Sequence, residues 1–241
     1  MKKEQYNMKK EEIIASNLIQ RLIDEKITMV MPFEFEMVLR HFDKIKKIKG
    51  DIIECGVWRG GFSIFLAHLF ENRSIWVSDS YEGFQPLEHA KYSYDKERHT
   101  PTYTSAGILG PIAISLGEVQ SHFEAYGLGN EKRIKYLKGF VKDTLPTCGI
   151  EDIALLRIDV DSYSAHLEVL DELYDKVQPG GYIIFDDSCL YESMDAIKYF
   201  FGLKNLGNEI IDPIDDQPKN IYKPYTNTNS GFTAGCYIIK Q

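Results

Sequence analysis

The fold is decided by the stretch Asp51-Ile52-Ile53-Glu54-Cys55-Gly56-Val57-Trp58-Arg59-Gly60-Gly61 and by the apolar residues 62–70 that follow it. This pattern predicts a short buried strand, a glycine-rich turn and a helix. Gly56 and Gly60 would let the backbone come close to a ligand. The free N–H groups at the start of the helix would face the same space. Strand, turn and helix in this order are typical of a nucleotide-type pocket at the carboxyl edge of a parallel sheet.

The spacing of the glycines distinguishes between possible ligands. A dinucleotide fold has Gly-x-Gly-x-x-Gly, and a phosphate loop has Lys and Ser or Thr after its last glycine. Here the pattern is Glu-x-Gly-x-x-x-Gly, with Glu54 before the first glycine. It resembles the first motif of class I methyltransferases, which use the sulfonium S-adenosylmethionine (SAM). An acidic residue suits such a cationic ligand and would repel a pyrophosphate. A tight strand–helix connection in another α/β protein is the alternative.

Composition and charge narrow the class of protein. The chain has 241 residues, of which 44% are apolar and 27% charged, and this suits one globular domain with a full core. A net charge of −8 argues against nucleic-acid binding. The four cysteines are far apart and predict neither a disulfide framework nor a zinc site. No membrane span or signal peptide is indicated, so we expect a cytoplasmic small-molecule enzyme that contacts neither nucleic acid nor membrane.

Two amphipathic helices are predicted before the motif, at about 10–26 and 32–48. We expect residues 1–49 to form a helical cap, a surface for assembly into a dimer or larger homo-oligomer, or both. Residues 50–241 are expected to form the methyltransferase-type domain. The segment 84–115 lacks periodicity and is rich in aromatic and histidine residues, which favours a lid that faces the substrate.

Strands and helices alternate after the motif, which predicts a doubly wound, mostly parallel α/β sheet with helices on both faces. We expect seven strands. After the first, they are predicted at 74–80, 133–139, 153–161, 182–187, 209–211 and 232–239, with intervening helices at about 116–126, 164–177 and 194–206.

Acidic residues close three of the predicted strands. Asp79 ends the second strand, where an acid can bind ribose hydroxyls. Asp159 and Asp161 end the fourth strand, and Asp186 and Asp187 end the fifth. Because neighbouring strands open onto one crevice, we expect these four carboxylates to converge beside the cofactor pocket. Capping of the following segments is the alternative, and it suits Asp161 best.

Converging carboxylates repel one another unless a cation neutralises them. Oxygen ligands of this kind suit Mg²⁺ or another hard divalent cation. Such an ion would bind two hydroxyls of the acceptor and ease the loss of a proton from one of them. The resulting oxygen nucleophile would attack the methyl carbon of the sulfonium.

Five blocks of the sequence resemble the macrocin O-methyltransferase family, and they occur in the family's order. They are 50–61 (Gly-Asp-Ile-Ile-Glu-Cys-Gly-Val-Trp-Arg-Gly-Gly), 79–84 (Asp-Ser-Tyr-Glu-Gly-Phe), 142–146 (Lys-Asp-Thr-Leu-Pro), 156–163 (Leu-Arg-Ile-Asp-Val-Asp-Ser-Tyr) and 179–187 (Pro-Gly-Gly-Tyr-Ile-Ile-Phe-Asp-Asp). The resemblance implies a Rossmann-like class I methyltransferase fold and a SAM- and Mg²⁺-dependent O-methyltransferase. It also implies a sugar-type acceptor, often with a vicinal diol. An O-methyltransferase of a non-sugar diol and a non-catalytic SAM-binding partner protein are the alternatives.

The resemblance also implies site residues by position. The SAM pocket would be formed by Glu54, Cys55, Gly56, Val57, Trp58, Arg59, Gly60, Gly61, Asp79, Ser80, Gly139 and Asp159. The metal ligands would be Asp159, Asp186 and Asp187, with Asp159 as the nearest candidate for the general base and His166 as a weaker one. Val160 departs from the glycine that the family commonly has there. The acceptor is therefore left open among natural-product, polysaccharide and nucleotide-linked sugars.

Overall fold

The computed structural model describes residues 10–86, 112–186, 188, 190–203, 212–213 and 235–241. The helices in this part of the chain are α1 (Lys10–Asp24), α2 (Pro32–Ile45), α3 (Gly61–Leu69), α4 (Leu116–Ala125), α5 (Val141–Thr144), α6 (Tyr163–Leu173) and α7 (Tyr191–Leu203). The strands are β1 (Asp51–Cys55), β2 (Ile75–Asp79), β3 (Ile134–Lys138), β4 (Ile153–Ile158), β5 (Val177–Phe185), β6 (Asp212–Pro213) and β7 (Cys236–Ile239).

The strands of the described residues form one sheet in the order β3-β2-β1-β4-β5-β7-β6. Strands β1 to β5 are parallel, whereas β7 runs antiparallel to both β5 and β6. The order reverses direction between β1 and β4, and in doubly wound sheets ligands bind at the carboxyl ends of strands beside such a point. The predicted mostly parallel α/β fold is confirmed, although β6 has only two residues.

The core has two layers because successive side chains of a strand point to opposite faces of the sheet. Ile52 of β1 belongs to the buried cluster beneath α1 to α4, and Ile53 belongs to the cluster beneath α6 and α7. All six residues of β4 are buried. Strands buried on both faces are expected to be almost wholly apolar, and Arg157 in the middle of β4 is the exception.

The N-terminal helices pack on the first face of the sheet. Helix α2 buries Phe35, Met37 and Val38 in that cluster. On the same helix, the two ring nitrogens of His41 lie 3.2 Å from the hydroxyls of Tyr182 and Tyr237, which belong to β5 and β7. Helix α2 is therefore joined to the sheet by packing and by polar contacts. Its part in an oligomer stays a prediction.

The predicted helix 164–177 is wrong at its carboxyl end. Helix α6 ends at Leu173, and one 3₁₀ turn follows before β5 begins at Val177. The segment 179–181 lies inside β5. Its register with β4 shifts there, and Gly180 donates to the carbonyl of Lys240 at 2.6 Å. Pairing with the chain end after β7 thus keeps these residues extended.

Several predictions fall on residues outside the described part of the chain. They are the strand at 209–211, most of the lid at 84–115 and the metal ligand Asp187. Among the helices that are described, none has the length and apolarity needed to cross a membrane.

Candidate active site

The glycine turn after β1 is shaped by a close approach of the protein's own backbone. Gly56 has a φ of 84°, and a Cβ built on it would lie 1.6 Å from the carbonyl oxygen of Asp159. Trp58, within the turn, has a φ of 49°. A positive φ is unusual for a bulky residue and costs on the order of 1–3 kcal/mol. Glycine is therefore needed at position 56 because the backbone that follows β4 leaves no room for a side chain. The positive φ of Trp58 means that the turn is also strained.

Asp79 holds this turn in place. Its Oδ2 accepts hydrogen bonds from the backbone N–H groups of Val57, at 2.8 Å, and Trp58, at 3.3 Å. Its Oδ1 accepts from the N–H of Tyr81 at 2.8 Å. The Ser80 hydroxyl makes a fourth, longer contact with Oδ1 at 3.4 Å. Since an ionised carboxylate offers about four acceptor positions, a ligand hydroxyl would have to replace the Ser80 contact. The predicted role as a ribose acid stays open, and a structural role is added to it.

Replacing Asp79 should therefore affect cofactor binding more than overall folding. We expect Asp79→Asn to weaken SAM binding by about tenfold or more, because one charge-assisted acceptor is replaced by an amide that both donates and accepts. Isothermal titration calorimetry measures this change. The exposed neighbour Glu82 is the control, and equal SAM affinity in Asp79→Asn and Glu82→Gln would contradict the assignment.

A cavity of about 130 Å³ opens beside this turn, at the carboxyl ends of β1, β2 and β4. Five of the predicted cofactor residues line it, namely Gly56, Trp58, Asp79, Ser80 and Asp159. Asp161, which was expected beside the cofactor pocket, also lines it, as do Phe84, Gln85 and Ile112 from the predicted lid 84–115. The other lining residues were not predicted: Met29, Gly83, Phe140, Val141, Val160, Ser162 and Ala165. Met29 comes from the segment between α1 and α2, so the N-terminal extension contributes directly to this cavity.

The other predicted cofactor residues do not line the cavity; they are Glu54, Cys55, Val57, Arg59, Gly60, Gly61 and Gly139. Two of them, Arg59 and Gly61, bind the turn to neighbouring segments of the protein. The Arg59 guanidinium donates to the carbonyl of Lys26 at 3.0 Å and pairs with Glu118 at 3.4 Å. The backbone N–H of Gly61 donates to the carbonyl of Ile27 at 3.1 Å. The segment before α2 therefore supports the turn.

A larger cavity, of about 1480 Å³, lies at the opposite edge of the sheet. Its wall includes Gly50, Asp51, Ser74 and Asp152, which lie at the amino ends of β1, β2 and β4. None of the predicted site residues lines it. We assign the site to the smaller cavity because the glycine turn and the acids that end the strands meet there.

Arg157 connects the acids next to the smaller cavity. Its side chain is 1% exposed, and its Nη1 donates to Glu54 Oε1 at 2.5 Å and to Asp159 Oδ2 at 2.8 Å. Its Nη2 donates to Asp186 Oδ1 and lies 3.6 Å from Glu34 Oε2. The structure thus brings two of the four acids that were expected to converge, Asp159 and Asp186, onto one guanidinium.

The charges of this cluster are unbalanced, since four carboxyl groups surround one guanidinium. Burial raises the pKa of Glu54 to about 7, and burial followed by repulsion from Asp186 raises the pKa values of Glu34 and Asp159 well above their usual range. Burial by itself lowers the pKa of Arg157, but the four acids outweigh it and keep this residue charged. The surplus of acid favours any cation that enters the site.

Glu54 should make the stability of the ligand-free protein depend on pH. Its pKa rises from 4.5 to about 7 on folding. The folded protein therefore binds this proton more tightly than the unfolded chain, and stability falls as the pH rises through that window. Between about pH 5.5 and about pH 8 we expect a loss of about 2 kcal/mol from this residue. Urea unfolding of wild type and Glu54→Gln measures it.

Glu34 and Asp159 add to this loss with the same sign, because their pKa values are also raised. Glu54→Gln should therefore reduce the pH dependence without removing it. The exposed Glu71 provides the control, since Glu71→Gln should leave the wild-type pH dependence unchanged. Stability that rises between these pH values in the wild type would contradict the expectation.

The remaining predicted residues occupy different positions. His166 is fully buried on α6, its Nδ1 lies 2.9 Å from the carbonyl oxygen of Ser162, and it does not line the cavity. Its catalytic role stays a prediction without support from this geometry. Asp161 lines the cavity with a φ of 56°. The cap of α6 is Ser162, which accepts from the N–H of Ala165 at 3.3 Å.

Two of the three predicted metal ligands belong to the described residues. The described residues contain no group of three or more His, Cys, Asp and Glu side chains arranged to hold a metal ion. Asp159 and Asp186 are present, and the third predicted ligand, Asp187, lies outside the described residues.

Two residues of the cluster around the Arg157 guanidinium were not predicted from the sequence, namely Arg157 itself and Glu34. Arg157 stands alone in the buried run Ile-Ala-Leu-Leu-Arg-Ile. A charge in such a strand must be paired, so this position could have indicated an internal ion pair. Glu34 lies between Phe33 and Phe35, and nothing in its local sequence indicates that it reaches the site.

The comparisons with known proteins agree with this geometry. The family described as macrocin-O-methyltransferase (TylF) matches residues 34–219, which is most of the chain. Mycinamicin III 3''-O-methyltransferase from Micromonospora griseorubida is 37% identical over 175 residues, which cover 70% of this chain and 67% of that protein. Demethyldecarbamoylnovobiocin O-methyltransferase from Streptomyces niveus is 35% identical over 170 residues, covering 68% and 63%. The matches thus span about two thirds of these curated relatives.

Solved structures share the fold. The O-methyltransferase NovP has a TM-score of 0.78 at 24% identity, covering 95% of this chain and 99% of that chain. The O-methyltransferase TomG from Streptomyces achromogenes, solved with SAM, has a TM-score of 0.54 at 11% identity, covering 99% and 93%. With the family match over most of the chain and a relative at 37% identity, this protein belongs to the macrocin-O-methyltransferase family.

Proposed function

We propose that this protein transfers the methyl group of SAM to a hydroxyl group of a sugar, with the help of a divalent cation. The sugar would be part of a glycoside, a nucleotide sugar or a polysaccharide precursor. The observation that carries this proposal is the position of Asp159. It lines the cavity beside the glycine turn and shares the Arg157 guanidinium with Asp186.

SAM is the cofactor that this cavity suits. The cavity is bordered by the glycine turn and by Asp79, an acid at the end of β2 where ribose hydroxyls bind in nucleotide-binding folds. The acids around Arg157 favour a ligand with positive charge, and SAM carries a sulfonium and an ammonium group. Among proteins of the same fold, TomG was solved with SAM and an O-methyltransferase from Bacillus cereus was solved with its demethylated product, SAH.

Two of the described acids suit a hard divalent cation such as Mg²⁺. Asp159 and Asp186 offer oxygen ligands at the ends of neighbouring strands, and they contact the same guanidinium. Asp187, next in the chain, would be the third ligand. When bound, the cation would lower the pKa of an acceptor hydroxyl. Asp159 is suited to take the proton from that hydroxyl, because it lines the cavity at the end of β4 and would lie next to a hydroxyl held by the cation.

The sugar acceptor is supported by the relatives. One of them is a 4'-O-methyltransferase from Streptomyces olivaceus whose name includes a dimethoxy-rhamnosyl group, and it is 33% identical over 168 residues. These cover 68% of this chain and 62% of that protein. Localisation in the cytoplasm and assembly into a homo-oligomer remain predictions from the sequence.

Calorimetric titration of SAM and SAH, with and without Mg²⁺, tests the cofactor and the cation. We expect micromolar dissociation constants for both, which correspond to about 8 kcal/mol of binding free energy. A titration with Mn²⁺ alone should lose its signal in the double variant Asp186→Ala, Asp187→Ala. No binding of SAM or SAH would contradict the assignment of the cavity.

The acceptor is tested by transfer of a radiolabelled methyl group from SAM. Sugars with a vicinal diol, as free glycosides and as nucleotide sugars, are compared with catechol and with a matched deoxy sugar that lacks one hydroxyl of the diol. Transfer to the diol sugars and not to the deoxy sugar is the expected result. Transfer to catechol alone would replace the sugar by another diol, and turnover unchanged by removal of divalent ions would exclude the cation.

A further inference from the structure

We propose that Glu34 of helix α2, acting with Arg157, is a positioning residue for the carboxylates of Asp159 and Asp186. Helix α2 would then be part of the reaction centre as well as part of the N-terminal cap. This inference rests on the proposed function, since Asp159 and Asp186 are the acids assigned there to the base and the cation.

The first support is the arrangement of contacts around the guanidinium. Each terminal nitrogen of Arg157 faces two acids, one that ends a strand and one that lies deeper in the protein. Nη1 contacts Asp159 and the fully buried Glu54, and Nη2 contacts Asp186 and Glu34. The guanidinium is planar, so when Glu34 and Glu54 fix its position, its remaining N–H donors point in fixed directions toward Asp159 and Asp186.

The deeper acids are themselves fixed by their surroundings. Glu54 is on β1 and accepts a hydrogen bond from the hydroxyl of Ser63 on α3. Glu34 is 2% exposed, its Oε2 lies 3.6 Å from Arg157 Nη2, and its carboxyl group also interacts with that of Asp186. The ring of Phe62 lies 4.4 Å from the centre of the Arg157 guanidinium and packs against it. The guanidinium of Arg157 is thus contacted by α2 through Glu34, by β1 through Glu54 and by α3 through the ring of Phe62.

The second support is the cost of this arrangement. Two buried acids and a buried guanidinium do not stabilise a fold as well as apolar residues of the same size. Glu34 also lies on a helix face whose neighbours Phe35 and Val38 are fully buried apolar residues. A leucine at position 34 would satisfy the packing alone. A buried acid there is explained by its two contacts with the cluster.

The experiment compares Glu34→Leu with Glu34→Gln. Leucine removes both polar contacts, whereas glutamine keeps an oxygen for Arg157 and an N–H for Asp186. For Glu34→Leu we expect kcat and the affinity for Mn²⁺ to fall by about 10–100-fold, while the KM for SAM stays within about twofold. Glu34→Gln should restore both values to within about fivefold of the wild type. Mn²⁺ affinity is measured by electron paramagnetic resonance without SAM or acceptor.

Thermal unfolding separates positioning from a general loss of structure. Without Glu34, Arg157 keeps three other acids, and the repulsion between Glu34 and Asp186 is removed. The melting temperature of Glu34→Leu should therefore equal or exceed that of the wild type, so activity falls without a loss of stability. Glu36, exposed on the same helix, is the matched control. Glu36→Leu should leave kcat and Mn²⁺ affinity at wild-type values.

A substitution of Arg157 tests whether Glu34 acts on the two aspartates through the guanidinium. Arg157→Lys keeps the positive charge but replaces the fork with a single ammonium, which cannot hold four acids in the same geometry. We expect the same 10–100-fold losses as for Glu34→Leu, again at nearly constant KM for SAM.

The outcomes distinguish this inference from the proposed function. A wild-type protein that neither binds SAM nor methylates a sugar contradicts the proposed function before any variant is compared. The inference is overturned if Glu34→Leu or Arg157→Lys retains wild-type kcat and Mn²⁺ affinity. Equal losses in Glu34→Leu and Glu34→Gln also overturn it, as does a loss of activity that follows a lower melting temperature.

Discussion

Gly56→Ala should prevent this protein from folding to its native state. The added methyl group would lie 1.6 Å from the carbonyl oxygen of Asp159 and 2.6 Å from its carbonyl carbon, and both are backbone atoms. The backbone N–H of Asp159 is in turn bonded to the carbonyl of Cys55 at 2.8 Å. The two strands cannot separate without losing this pairing. We expect a loss of more than about 4 kcal/mol, measured by urea unfolding or as the absence of a cooperative transition.

Gly127→Ala is the matched control for this substitution. Gly127 has a φ of 81°, close to the 84° of Gly56, but nothing lies within 4 Å of the position that its Cβ would take. It therefore reports the cost of the backbone conformation alone, about 1–2 kcal/mol. If Gly56→Ala costs no more than Gly127→Ala, the close approach of β4 to the turn is wrong.

Asp159→Asn should remove most of the activity while leaving the fold nearly unchanged. Asparagine keeps an oxygen that accepts from the Arg157 Nη1, which lies 2.8 Å from the Asp159 carboxylate. It cannot take a proton and is a weaker ligand for a hard cation. We expect kcat to fall by about 10²–10⁴-fold. Steady-state methyl transfer at saturating SAM measures this loss, and calorimetry measures the separate change in SAM affinity that follows from removing one negative charge beside the cavity.

Asp161→Asn provides the control for this loss. Asp161 lines the same cavity two residues later, and its φ of 56° is a conformation that asparagine tolerates. We expect kcat within about twofold of the wild type. Equal losses in the two variants would show that a general negative charge is needed there, in place of a proton acceptor at Asp159.

The fold was largely predictable because its signals are local. The strand–turn–helix pattern at 51–70 and the alternation of strands with helices predict a parallel doubly wound sheet, and the structure confirms it. The end of α6 was mispredicted, because the segment 179–181 stays extended through bonds to the chain end after β7. Local sequence carries no information about that partner.

The candidate site was predictable in part for the same reason. Asp79, Asp159 and Asp186 follow strands, and parallel strands bring their carboxyl ends to one edge of the sheet. Their residue types and positions sufficed to place them together. The hydrogen bonds of Asp79 to the N–H groups of Val57 and Trp58 depend on the strained conformation of the turn, which the residue types alone do not specify.

The sequence by itself thus determined the sheet, the glycine turn and the acids that end the strands, because short-range periodicity and chain direction fix them. Only the tertiary structure decided that Arg157 joins Glu34, Glu54, Asp159 and Asp186. Glu34 and Arg157 are far apart in the sequence, with strands β1, β2 and β3 between them. Their contact depends on how helix α2 packs on the first face of the sheet. Long-range packing of this kind is set by the whole core, so no local pattern could have indicated it.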